Sequence, residues 1–110
     1  MWMNPVALEG NGQFEIPRDY SGHGIGQKLH EPPHIPNRSP YYPGQGPCGS
    51  PDLAPGQLIA IEPMAMIGSP AVVVDPDGTV RTKSGLPAAH FEHTVWVTRM
   101  GPVVLTKIPS

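Results

Sequence analysis

Four side chains in this 110-residue chain have types and surroundings suited to chemistry: His23, His30, Glu62 and Glu92. His23 lies in Gly22-His23-Gly24-Ile25-Gly26, where glycines at alternate positions predict a strongly bent backbone in close approach to another segment. Taken alone, a histidine beside glycine is more often a turn residue than a functional one. Glu62 ends the apolar run Leu58-Ile59-Ala60-Ile61 and precedes Pro63. A carboxylate there is either partly buried, and then needs a cation or dense hydrogen bonding, or lies just past the sheet in solvent. Glu92 has the same character within Ala89-His90-Phe91-Glu92-His93-Thr94-Val95-Trp96-Val97. Two inward-pointing strand carboxylates and an imidazole make an oxygen-rich divalent-metal site that suits Mn, Fe, Co or Zn. His34 and His90 are further imidazoles that nothing in their context selects.

These residues need elements to hold them. Residues 58–62 read as a short strand ended by Pro63. Residues 71–74 and 79–82 flank Asp75-Pro76-Asp77-Gly78, the form of a strand, a tight turn and a returning strand. Residues 90–98 are the longest strand candidate, rich in Phe, Thr, Val and Trp. Alternation would put His90, Glu92, Thr94 and Trp96 on one face, with Phe91, His93, Val95 and Val97 on the other. A last strand over 103–106 follows a Gly101-Pro102 turn. Residues 1–9 read at most as the end of a helix. Eight of the residues in 32–55 are proline, which predicts a long loop. The expectation is an antiparallel sheet with long loops and no encoded layer to cover it.

Composition narrows the function. Glycine (13) and proline (16) make up about a quarter of the chain, while charged residues are only 15% and net charge is -2. That combination predicts a loop-rich globular piece with a thin core rather than a disordered chain. Seven scattered Lys and Arg cannot form a basic patch, so no nucleic-acid partner is expected. No apolar run is long enough to span a membrane, and a signal pattern is lacking, so the expected setting is cytoplasmic. The single cysteine, Cys48, excludes an internal disulfide and a thiolate zinc knot.

Three motifs carry a family resemblance. Tyr20-Ser21-Gly22-His23-Gly24-Ile25-Gly26-Gln27-Lys28-Leu29-His30-Glu31-Pro32-Pro33 is similar to the second-half signature of the pita-bread peptidases. Ile61-Glu62-Pro63-Met64 resembles their next motif, and Ala89-His90-Phe91-Glu92-His93-Thr94-Val95 their last. Prolidase and creatinase relatives usually have an aspartate after that last glutamate. Glu92-His93-Thr94 therefore points to the methionine aminopeptidases of type I. The resemblance implies an α+β chain forming the C-terminal part of a pita-bread fold over residues 1–110. It implies His23, Glu62 and Glu92 as metal ligands, with Glu92 bridging two ions of Co, Mn, Fe or Zn. Glu62 is similar to the carboxylate that takes a proton from activated water, and His30 to the histidine that hydrogen-bonds the substrate amide and the oxyanion.

The same pattern requires two further aspartate ligands and another substrate-binding histidine from an N-terminal half that these residues do not encode. Asp75 and Asp77 belong to a turn. A tryptophan that the family often has between Gly78 and Thr79 is absent, and the 37–55 loop is longer than usual. The expectation is thus a part of a metal-dependent aminopeptidase acting on the N-terminal methionine of nascent polypeptides, incomplete by itself. It would need to be a segment of a longer product or to pair with a chain carrying the other half. The alternative is a non-catalytic remnant or binding module that keeps a weak metal site.

Overall fold

A computed structural model describes residues 14–37 and 52–109. The helical reading of residues 1–9 and most of the 37–55 loop lie outside them. The described residues form nine strands and no helix, so none is long and apolar enough to cross a membrane.

The main sheet has five antiparallel strands in the order β2-β1-β3-β8-β9. They are β1 (Ser21–Ile25), β2 (Glu31–Pro36), β3 (Leu58–Ile61), β8 (His93–Thr98) and β9 (Gly101–Val104). Two short pairs complete the set: β4 (Met64–Met66) with β7 (Ala88–His90), and β5 (Val72–Val74) with β6 (Val80–Thr82).

These two pairs and the β3–β8 pairing follow one register. Around the Asp75-Pro76-Asp77-Gly78 turn, Val74 pairs with Val80 and Val72 with Thr82. Counting outward by equal steps gives the observed Met66↔Ala88 and Met64↔His90 pairs, and then Ile61↔His93 and Leu58↔Trp96. Bonds between the ladders keep the count: Lys83 N–H to Ala71 O, Ile67 N–H to Pro87 O and Phe91 N–H to Pro63 O. Residues 58–96 are thus one long hairpin with two interruptions. The one nearer the base falls at Pro63, which cannot return the bond it accepts from Phe91 because it has no N–H. The long strand expected over 90–98 is therefore two, parted at Phe91 and Glu92.

Three further expectations change. Glu31–Pro36 is a strand rather than loop; its prolines are tolerated because β2 is an edge strand, where an N–H is dispensable. The glycine run is strand β1 with a register shift between His23 and Gly24, not a sharp bend. The close approach is real: a Cβ on Gly22 would strike the Ala60 carbonyl oxygen, and one on Gly24 the Pro32 carbonyl oxygen. Gly101 begins β9, and the turn before it is Arg99-Met100.

The core is small. Ile59 and Val95 pair across β3 and β8 and are buried, as are Ala60, Met66 and Ile16. Glu15 forms a two-bond bridge to Met66 that draws Ile16 and Pro17 in. Apolar side chains also reach the surface, including the cross-strand pair Trp96 and Val103 at 45% and 43% exposed.

Candidate metal centre

His23, Glu62 and Glu92 converge although their elements are far apart in sequence. His23 sits on β1, paired to β3 through His23↔Ala60. Glu62 is one residue past β3, and Glu92 one residue before β8. The hairpin register sets these two glutamates opposite each other at the interruption. Neither is on a strand, which corrects the expectation of two strand carboxylates. At a joint where Pro63 gives no return bond, a side chain can turn inward without breaking further main-chain pairing.

The three offer ligand atoms that all lie within 4.8 Å of one another, and could hold a metal ion. His23 Nε2 is 3.1 Å from Glu62 Oε1, with side chains only 14% and 15% exposed. Glu92 is exposed. His23 Nδ1 is 2.9 Å from Gly24 O, and a carbonyl can only accept, so Nδ1 carries the proton. The lone pair of a neutral His23 therefore lies at Nε2, facing the carboxylates.

His30 stands beside this group, its ring centroid 4.2 Å from that of His23 at an interplanar angle of 49°. The turn presenting it is closed by Gly26 N–H to Lys28 O and by Lys28 N–H to the Glu31 carboxylate at 2.8 Å. That carboxylate also fills the space a Cβ on Gly26 would need. Glu31, which suggested no chemistry in the sequence, shapes the loop that carries His30.

His90 is the residue its context failed to select. Its Nε2 lies 3.3 Å from Glu62 Oε2, so Glu62 is held between two imidazoles. The signal was available: counting out from the Asp75–Gly78 turn puts His90 two residues before Glu62's opposite number. His34 pairs opposite His23 but is turned to Ser21, with Nδ1 3.0 Å from its Oγ.

Compared with known proteins, residues 6–99 match the model of metallopeptidase family M24. A methionine aminopeptidase of Aquifex aeolicus is 49% identical over 90 residues, covering 81% of this chain and 33% of that protein. Methionine aminopeptidase 1 of Bacillus subtilis is 46% identical over 99 residues, 89% of this chain and 38% of its own length. The chain thus spans about a third of the length of these relatives. Among solved structures, methionine aminopeptidase of Thermotoga maritima superposes with a TM-score of 0.79 at 43% identity, over 94% of this chain and 39% of that one. The Rickettsia prowazekii methionine aminopeptidase gives 0.76 at 30% identity, over 94% and 41%. The described residues accordingly form part of the pita-bread fold of those enzymes. With the family match running over most of its length, the chain belongs to metallopeptidase family M24.

Proposed function

We propose that this chain supplies His23, Glu62 and Glu92 to the divalent-metal centre of a methionine aminopeptidase, which removes the N-terminal methionine of nascent polypeptides. The observation that carries this reading is the convergence of the three donor groups within 4.8 Å. Donors around one ion at about 2.0–2.2 Å lie roughly 3–4 Å apart, so a contraction of about an ångström closes the set. The protonated Nδ1 of His23, leaving Nε2 as donor, fits the same purpose. Mn, Fe, Co and Zn all suit a set of one imidazole and two carboxylates.

A divalent ion held by His23, Glu62 and Glu92 would supply Lewis acidity for activating water and a seat for a free α-amino group. Glu62, partly buried and flanked by His23 and His90, would accept a proton from the attacking water at a carboxylate oxygen. His30, on its turn beside His23, donates a hydrogen bond to the scissile carbonyl oxygen as negative charge builds there. A cytoplasmic setting goes with nascent chains as substrate.

Among the described residues only these three form such a donor group, and one of them is exposed. This count favours a second reading of the chain by itself, as a module holding one ion weakly, because hydrolysis by a bridged metal pair needs further carboxylates. Calorimetric titration with Mn²⁺ tests the centre: one weakly bound ion is expected, and no measurable binding in His23→Ala or Glu92→Ala. Wild-type affinity in both variants would sink the assignment. Incubation of the chain with a Met-Gly-Ser peptide and Mn²⁺ or Co²⁺ tests completeness. No release of methionine is expected unless a chain with the remaining carboxylates is added. Turnover by the chain alone, lost in Glu92→Ala, would show the centre to be complete.

A further inference from the structure

Asn37 is the one buried polar residue among those described, 8% exposed. It follows the last residue of β2, and its side-chain amide donates to two main-chain carbonyls: Tyr20 O at 3.4 Å and Glu62 O at 3.3 Å. Both lie just off the ladders. Tyr20 precedes β1, Glu62 follows β3, and the pairing of those two strands stops at His23↔Ala60.

The position of the second bond matters most. Glu62 O belongs to the Glu62–Pro63 peptide, and Pro63 O, in the next peptide, accepts from Phe91 N–H. These two bonds fix successive peptide planes just after the Glu62 Cα, at the joint where proline removes a ladder bond. The first bond ties the same amide to the residue three before His23. One short side chain thus spans the two backbones that carry His23 and Glu62. The job needs two donors on a short arm. Aspartate has none when ionised, and serine has one.

We infer that Asn37 is a positioning residue for the metal centre, setting the Glu62 backbone against the His23 strand without itself ligating. This rests on the reading that His23, Glu62 and Glu92 bind a divalent cation. Outer residues that orient ligands commonly contribute about 10–100-fold to metal affinity.

The test is calorimetric titration of the full chain with Mn²⁺. Asn37→Ala is expected to weaken binding about tenfold or more. Ile16→Val, a core truncation at the Glu15–Met66 bridge, is expected to lower the melting temperature yet keep affinity within about twofold. Equal affinity in Asn37→Ala and wild type overturns the positioning role, as does an equal loss in Ile16→Val. Absence of binding in wild type would instead remove the metal reading on which it rests. Where Asn37→Ala does not fold, the wild type decides by NMR. Zn²⁺ should shift the Asn37 side-chain amide protons, which should exchange slowly; fast exchange unmoved by Zn²⁺ overturns the role.

Discussion

The tip and the base of the long hairpin obey the same register but are held in different ways. At the tip every bond is local: Gly78 N–H to Asp75 O, Asp75 N–H to Thr79 O, Thr79 N–H to Asp77 Oδ1, and Arg81 on both Asp75 oxygens at 2.7 and 2.6 Å. Its valines stay on the surface, Val74 62% exposed. At the base the strands join a five-stranded sheet, bury Ile59 and Val95, and bring together groups that are distant in sequence. The two ends share one count along the arms. Pairing along the arms therefore decides which residues meet at the candidate metal centre, and the turn need only close the loop between them.

The largest effect should come from upsetting that count. One glycine inserted after Ile61 moves Glu62 out of opposition to Glu92 and is expected to abolish Mn²⁺ binding in calorimetry. The same glycine inserted between Asp77 and Gly78 falls in the turn and should leave affinity within about twofold. Binding that survives the first insertion would break the link between register and site.

Packing should separate the two ends next. Ile59→Ala, at a buried position paired to Val95, should lower stability by about 2–4 kcal/mol in urea unfolding. Val74→Ala at the tip should change it by less than about 0.5 kcal/mol. Equal losses would mean the tip is packed as tightly as the base.

A smaller effect is expected at Gly78, whose φ of +89° an alanine adopts only with strain. Gly78→Ala should cost about 1 kcal/mol, read as faster hydrogen exchange at the Gly78 and Asp75 amides, with Mn²⁺ affinity unchanged.

The smallest concerns pH. The Arg81 guanidinium hydrogen-bonded to Asp75 holds that carboxyl below its ordinary value. A depressed folded-state pKa stabilises above the unfolded value of about 3.9, and that contribution disappears as pH falls through the lower folded value. Arg81→Ala should raise the Asp75 pKa in a carboxyl-carbon NMR titration and remove this acid-range dependence. An unmoved titration would show that the ion pair is not what lowers it.

Much of the candidate donor cluster was legible because its motifs are short: His23 with its glycines, Glu62 before Pro63, and Glu92 before His93. The tip hairpin was legible for the same reason, since Asp75-Pro76-Asp77-Gly78 encodes its own turn. Less visible was whatever depends on distant partners. Strand β2 hid behind Pro32, Pro33 and Pro36 because an edge position excuses them only once the sheet order is known. The division at Phe91-Glu92 hid because its cause, Pro63, lies on the opposite strand. His90 and Asn37 gave no local signal, since each acts on Glu62 across a gap in sequence.

The unbroken register also constrains how this segment can vary over generations. Substitutions along either arm leave the pairing intact, but a lost or gained codon in one arm does not. Length changes are then tolerated in the turn, or as matched pairs, one on each arm at equal distance from it. Spacing, more than residue identity, is what this stretch of gene has to preserve.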